Sequence, residues 1–196
     1  MQPLIDNART FGQRPEEFAK LAEGQSPRVL FITCSDSRPV PAPVTGAAPG
    51  ELFELRTAGD TVPPYASGRP PCEATTTIEY AANFLGVQDI VVCGHTHCGA
   101  VAPLVRGNEL DPVPAIRDWL AHAADRPAEA DPDPVDPALA ASARHHLLAQ
   151  MLRLRSYPCV ESGPAEGRLR LRSWCYEAHT GAVLEHCADT DTFQAL

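Results

Sequence analysis

"VQDIVVCGHTHCGA", residues 87 to 100, is a short apolar strand that runs straight into a glycine-bounded loop carrying two histidines and a cysteine. Ile90, Val91 and Val92 follow one another with no polar alternation. An uninterrupted apolar run of this length suits a strand covered on both faces, as in parallel sheets. Just upstream, "EATTTIEYAANFLG" (73 to 86) sets Ile78, Ala81, Ala82 and Leu85 at helical spacing. Before that, "ELFELRTAGD" (51 to 60) holds a further apolar strand between Pro49-Gly50 and Gly59. Strand, helix and strand in this order form a right-handed crossover unit. Open sheets of this kind take their ligands beyond the carboxyl ends of the strands.

A second segment ends in the same way. In "VLFITCSDSRPV" (29 to 40) the β-formers Val29 to Thr33 lead into Cys34, with Asp36 and Arg38 directly after. Cys34 and the loop from His95 to Cys98 therefore stand at the ends of two strands and converge on one edge. The expected fold is α/β: a mostly parallel central sheet flanked by helices, with an antiparallel C-terminal edge strand and an N-terminal helical arm.

The rest of the chain fills in that frame. "RPEEFAKLAEG" (14 to 24) reads as a helix, with Pro15 in its first turn, Glu16 and Glu17 at its positive end and Gly24 as its stop. Pro63, Pro64, Gly68, Pro70 and Pro71 mark a turn-rich connection. The proline-rich stretch from Pro103 to Pro137 reads as one helix, "AIRDWLAHAA" (115 to 124), bracketed by stiff surface linker. Ala138 to Ser156 predicts a helix with Leu147, Met151 and Leu154 on one face. "RLRLRSWCYEAHTGAVLEHC" (168 to 187) alternates Leu169, Leu171 and Ser173 with arginines and turns at Thr180-Gly181, the pattern of a hairpin or edge strand. At 196 residues the chain is expected to form a single domain, 1–196, large enough to bury a core without disulfides.

Charge and composition narrow the partners. A formal net charge of −9, with no basic cluster, argues against nucleic acid and anionic membranes. The opening "MQPLIDNART" lacks the basic and apolar regions of a leader, and no segment approaches the roughly 18 apolar residues of a membrane span. The expected location is the cytoplasm. Seven cysteines, an odd number without the spacing of a disulfide scaffold, read as reduced thiols open to metal.

Zn²⁺ accepts thiolates and imidazoles tetrahedrally, and a catalytic site keeps one position free. Cys34, one histidine and Cys98 would make such a Cys₂His set. On spacing alone the set is open: His95 and His97 both lie within three residues of Cys98, and Cys93 is a rival thiol. Cys93 sits where the strand calls for an apolar filler. His145, His146, His179 and His186 read as solvated or capping residues.

"CSDSR" (34 to 38), "PGELF" (49 to 53), "IEYA" (78 to 81) and "GHTHCGA" (94 to 100), in this order and spacing, resemble the β-class carbonic anhydrases. The likeness runs from "EGQSP" (23 to 27) through Ala100 and continues more weakly in "YEAHTGAV" (176 to 183). It implies one zinc per chain on Cys34, His95 and Cys98, with His97 in the variable position between the last two. It also implies that Asp36 and Arg38 are the catalytic pair beside the metal. Asp36 has two available jobs, orienting the nucleophile toward CO₂ or binding zinc and shutting the site, and a bidentate Arg38 favours the first. Gln25 matches the position where a plant-type branch holds substrate with an amide, and Phe53 and Tyr80 match that branch's aromatic pocket wall.

Gln25 stands nine residues before Cys34, at the strand's far end, so the resemblance further implies a dimer or an assembly of dimers. In it the arm, residues 1–25, would pack on a partner subunit and Gln25 would serve the partner's zinc. The implied reaction is reversible hydration of carbon dioxide to bicarbonate and a proton. Three other readings stand beside it. Carbonyl sulfide or carbon disulfide could be hydrolysed on the same site. A zinc- or bicarbonate-sensing module without turnover would be expected to lack Asp36 or Arg38, and both are present. A redox protein would use Cys93 and Cys98. Thr57 and Asp60 replace asparagines common in the family, and Pro39 removes a backbone donor beside Arg38.

Overall fold

The computed structural model describes residues 1–12, 18–65, 71–103, 112–123 and 137–196. Six strands form one sheet: β1 (Val29–Cys34), β2 (Leu52–Thr57), β3 (Asp89–His95), β4 (Arg170–Tyr176), β5 (Val183–Cys187) and β6 (Thr192–Ala195), in the order β2-β1-β3-β4-β5-β6. The first four are mutually parallel, β5 runs antiparallel to β4, and β6 antiparallel to β5. Thus the mixed α/β architecture expected from the apolar runs is the one observed.

Helices cover this sheet. The described helices are α1 (Gln2–Phe11), α2 (Pro41–Thr45), α3 (Glu73–Glu79), α4 (Pro114–Ala123), α5 (Pro137–Arg155) and α6 (Pro158–Glu161). The main core joins Leu30, Ile32, Leu55, Ile90 and Val92 of the strands to Ile78 of α3, to Leu147, Met151 and Leu154 of α5, and to Tyr157. Those three α5 residues are the face that the periodicity predicts. Phe31, Val91 and Cys93 point to the other side of the sheet, against Trp174 and Tyr176. A third cluster sits on the carboxyl edge, where Cys34, Cys98, Ala100 and Val101 pack with Leu120 of α4.

Several local details differ from the sequence reading. The helix over 73–86 is α only to Glu79 and continues as a π-helical turn, Tyr80–Leu85, before Gly86 caps it at φ 65°. Of the helix over 14–24, residues 14–17 lie outside the described set, and Ala19–Glu23 is a 3₁₀ turn. The linker residues 104–111 and 124–136 and the turn residues 66–70 also lie outside it.

Of the two forms expected for residues 168–187, a hairpin or an edge strand, the structure selects the first. In that hairpin β4 is an interior strand, parallel to β3 and antiparallel to β5, and the sheet ends on β6. Its arginines look like edge charges in sequence and are paired instead: Arg170 and Arg172 both meet Asp89 of β3, and Arg172 also meets Glu185 of β5. Alternation alone does not separate a charged edge from an interior strand whose charges find partners in its neighbours.

The register places the chemistry. Cys34 ends β1 opposite Thr57 of β2, and His95 ends β3 opposite Tyr176 of β4.

Candidate metal centre

Three buried side chains meet where β1 and β3 end. The ligand atoms of Cys34, His95 and Cys98 all lie within 4.8 Å of one another, and among the described residues they are the one such group. The two sulfurs are 3.8 Å apart. Two thiolates at ~2.3 Å from a tetrahedral zinc would stand at about that separation. The imidazole is prepared in the same sense: His95 Nδ1 donates to the Thr96 carbonyl at 2.9 Å, which leaves Nε2 as the unprotonated nitrogen. That Nε2 is buried with no hydrogen-bond partner. An orphaned imidazole lone pair beside two thiols fits a metal ligand set, with the second-shell carbonyl such histidines use.

The two neighbouring thiols shift in opposite directions. Cys34 is lowered, first by the hydrogen bond from Cys98 and also by the backbone amide of Asp36, against the opposing cost of burial. Cys98 is raised by the same bond and by burial. One thiolate is already favoured, and a cation between the sulfurs would deprotonate both.

The two rivals, His97 and Cys93, lie outside this group. His97 is exposed, at φ 58°, with its ring toward His179. Cys93 is buried on the far face of the sheet, and burial pushes its thiol well above the usual range. It is the apolar filler that the strand pattern predicts.

Asp36 stands beside the cluster without joining it. Its Oδ1 accepts from the Arg38 amide and Nε, each at 2.9 Å, and its Oδ2 accepts from Arg38 Nη2 at 2.7 Å. Arg38 Nη2 also donates to the His97 carbonyl at 2.8 Å. The guanidinium holds the Asp36 carboxyl far below the usual carboxylate range, so it is ionised throughout the neutral region. The loop itself is held by a residue that sequence reasoning passed over. Arg56 Nη2 donates to the carbonyls of Cys34, Asp36 and Pro39 at 2.9, 2.7 and 2.9 Å.

Gln25, Phe53 and Tyr80 are not gathered at this point within one chain. Gln25 is exposed, in a cleft of about 620 Å³ lined by Leu21, Gly50 and Leu52 at the opposite end of the strands. Phe53 pairs with Leu30, four positions from the Cys34–Thr57 pair. That distance is about 13 Å along the strand. Its ring meets Tyr80 at 5.8 Å, and Tyr80 stacks on Phe84 at 4.8 Å.

The fold and site match known proteins. Residues 29–183 fit the family model for carbonic anhydrase. A carbonic anhydrase of Pseudomonas aeruginosa is 41% identical over 93% of this chain and 86% of its own length. Carbonic anhydrase 1 of Escherichia coli O157:H7 is 40% identical over 100% of this chain and 92% of its own. Among solved structures, the β-carbonic anhydrase CcaA superposes with a TM-score of 0.87 at 31% identity, covering 100% of this chain and 92% of that one. The chain belongs to the β-class carbonic anhydrase family. A chain from a structural study of two tetrameric β-carbonic anhydrases of Sordaria macrospora shares the fold at a TM-score of 0.68 and 28% identity, over 94% of this chain and 92% of that one.

Within this β-carbonic anhydrase, Asp60 is the departure with a measurable consequence. It is 1% exposed, at φ 48°, with Oδ2 lacking a partner and pressed to within 3.3 Å of where a Cβ on Gly94 would stand. Burial first, and then the Cys34 charge, raise its carboxyl well above the usual value. The folded state therefore binds this proton more tightly than the unfolded chain. Its stabilising contribution is complete below the ordinary carboxylate value and is lost as pH rises toward the raised one. Asp60→Asn removes that loss. Between pH 6 and 8 the melting temperature of the variant should pull ahead of the parent's. One proton of linkage gives about 1.4 kcal/mol per pH unit, or roughly 3–5 °C for a chain of this size. A gap that stays constant with pH would show that Asp60 is already ionised in the folded protein.

Proposed function

We propose that the chain catalyses reversible hydration of carbon dioxide to bicarbonate and a proton, with Cys34, His95 and Cys98 holding one zinc per chain and leaving a fourth position open. The observation that carries this reading is the clamped carboxylate: Asp36 is bound through both oxygens by Arg38 and is not part of the group formed by the three ligands. Zinc, when bound, supplies the Lewis acidity that makes water a nucleophile near neutral pH, an effect the two thiolates moderate.

The chain's own residues do the rest. Asp36, ionised and fixed, accepts a hydrogen bond from the nucleophile and orients its lone pair toward the carbon of CO₂. Arg38 prevents the carboxylate from closing the open position. Arg56 keeps the loop from Cys34 to Pro39 in place while Asp36 is in use. Gln25, through its amide, and Phe53 and Tyr80, through their apolar rings, hold the linear substrate and belong to a partner chain.

An assembly built on dimers supplies that partner. None of α1 is buried, and Leu4, Phe11, Tyr80 and Phe84 are exposed apolar side chains, Phe84 at 75%. Aromatic exposure on this scale fits an interface. The tetrameric relatives from Sordaria macrospora support self-association, in which the arm would pack on the neighbouring subunit. No described helix is long and apolar enough to cross a membrane. Unpaired cysteines are consistent with the reducing cytoplasm, where we place the enzyme.

Stopped-flow CO₂ hydration across pH 6.5 to 9, on protein of known zinc content and measured mass, tests the whole reading. Turnover proportional to zinc is expected, from particles of two or more chains. Zinc-loaded protein that leaves CO₂ untouched would overturn the assignment, and carbonyl sulfide and carbon disulfide assayed in parallel would show whether the site serves those instead. Full activity in a monomer would remove the partner's Gln25, Phe53 and Tyr80 from the mechanism.

A further inference from the structure

Helix α4 supplies no ligand and no catalytic group, and its sequence reads as a surface helix within a linker. One of its faces is not at the surface. Ile116, Trp119 and Leu120 stand at helical spacing, with Leu120 at 0% exposure and the other two half-buried, while Ala115, Arg117, Asp118 and Ala121 are exposed. Leu120 belongs to the same buried apolar cluster as Cys34, Cys98, Ala100 and Val101, and Ile116 and Trp119 pack against that cluster. The helix therefore shares its packing with the two ligand sulfurs.

The packing is tight. A Cβ on Gly59 would meet Ala100 at 3.2 Å and Leu120 at 3.3 Å, so the turn after β2, the ligand loop and α4 close on one another with little room for a further carbon. Trp119 donates its indole N–H to the Ala58 carbonyl at 3.2 Å, which ties the helix to that turn. Solvent is close by. A cleft of about 420 Å³, with Ser35, Thr57, Ala58, Ile116 and Trp119 in its lining, reaches the residue next to Cys34. Yet Cys34 is 4% exposed and Cys98 3%.

We propose that Leu120, backed by Ile116 and Trp119, is the apolar wall of the metal centre: it keeps water and competing ligands from the Cys34 and Cys98 sulfurs and so slows loss of the metal. The apolar shell around a site controls solvent access to it and lowers the local dielectric, which strengthens the attraction between a cation and its thiolates. Release runs the other way, since water or an outside ligand has to take the place of a sulfur. Leu120 offers no ligand atom. It is a positioning residue that acts through the two cysteines.

The inference rests on the zinc reading given above, and its test separates the two. Leu120→Ala opens the wall, and Leu120→Met nearly keeps its volume. Leu154→Ala makes the same truncation in the main core, where Leu154 is also fully buried. Zinc release is timed from the loaded proteins with a chromogenic chelator, at a temperature where all are folded. Labelling of Cys34 and Cys98 by iodoacetamide is mapped by mass spectrometry on the proteins as purified, with the exposed Cys72 as reference. Leu120→Ala should release zinc about tenfold faster, the low end of what supporting groups around a metal are worth, and should label faster at both cysteines. Leu120→Met and Leu154→Ala should keep the parent's rates.

Parent rates in folded Leu120→Ala would overturn the proposal. Equal acceleration in Leu154→Ala would overturn it as well, because it would mark a general loosening of the fold. If Leu120→Ala does not fold, Leu120→Val decides in its place: faster release and labelling support the wall, and parent rates refute it. A parent that holds no zinc would remove the zinc reading, and the labelling rates of Cys34 and Cys98 would still decide whether Leu120 shields them.

Discussion

Replacing Asp36 with alanine should lower kcat/KM for CO₂ hydration by about 100- to 1,000-fold, the usual loss when a preorganised partner of the reacting group is removed, while one zinc per chain remains. The activity loss follows from the ionised carboxylate, which Arg38 holds through both oxygens and which alanine deletes. Retention of zinc follows from what anchors the loop. Arg56 binds the backbone carbonyls of Cys34, Asp36 and Pro39, and none of those bonds uses the Asp36 side chain. Arg38 keeps its bond to the His97 carbonyl and stays near the site. Because the Asp36 carboxyl titrates far below neutrality, the parent's activity should show no acid limb from it between pH 6 and 9. Turnover unchanged in the variant would exclude Asp36 from the chemistry, and loss of zinc would make it a structural residue instead.

Replacing Cys34 with alanine should abolish both zinc binding and activity, whereas Cys93→Ala should leave zinc stoichiometric. The two cysteines differ in sequence by little more than their neighbours. In the fold Cys34 is 4% exposed and 3.8 Å from the Cys98 sulfur, while Cys93 packs with Phe31 and Val91 on the opposite face. Without Cys34 only one thiol and one imidazole remain, and the amide of Asp36 loses its acceptor. A ligand at 100 times its Kd stabilises by about 2.7 kcal/mol. For a chain of this size that is roughly 5–10 °C. The parent's melting temperature should therefore fall by this amount on chelation, and that of Cys34→Ala should not respond. Stoichiometric zinc in Cys34→Ala, or its loss in Cys93→Ala, would redraw the ligand set.

Sequence and structure part company in instructive places. Histidines 145 and 146 are adjacent and look alike, yet the first is exposed and the second is buried against Gly59. Reading all four later histidines as solvated or capping is wrong for His146. The buried face of α5 carries Ser142, His146 and Gln150 along with Leu147 and Met151, while Leu152 is 68% exposed. Its polar members are there because a turn some 90 residues earlier needs donors and acceptors: His146 serves the Gly59 carbonyl, Gln150 the Val62 amide. Tyr157 likewise serves the Pro63 carbonyl. The periodicity shows the apolar members of that face and leaves its polar members unmarked. The short strand β6 and the Arg56 clamp were invisible for related reasons, since four residues leave little pattern and an arginine on a strand does not announce three carbonyls as its partners.

What the sequence determined by itself is the parallel sheet and the edge of it on which the candidate thiols and imidazoles gather. Three apolar runs, each bounded by glycine, proline or a ligand loop, leave few ways to bury their residues, and Cys34, His95 and Cys98 fall at strand ends whatever the rest of the chain does. Local backbone geometry sets those features over a few residues. The tertiary structure alone decided which histidine is buried, where the arginines of β4 find their carboxylates, which way Asp36 points, and what holds the turn behind Cys34. Each of these is a hydrogen bond or ion pair between groups distant in sequence, and such partners exist only once the chain has packed.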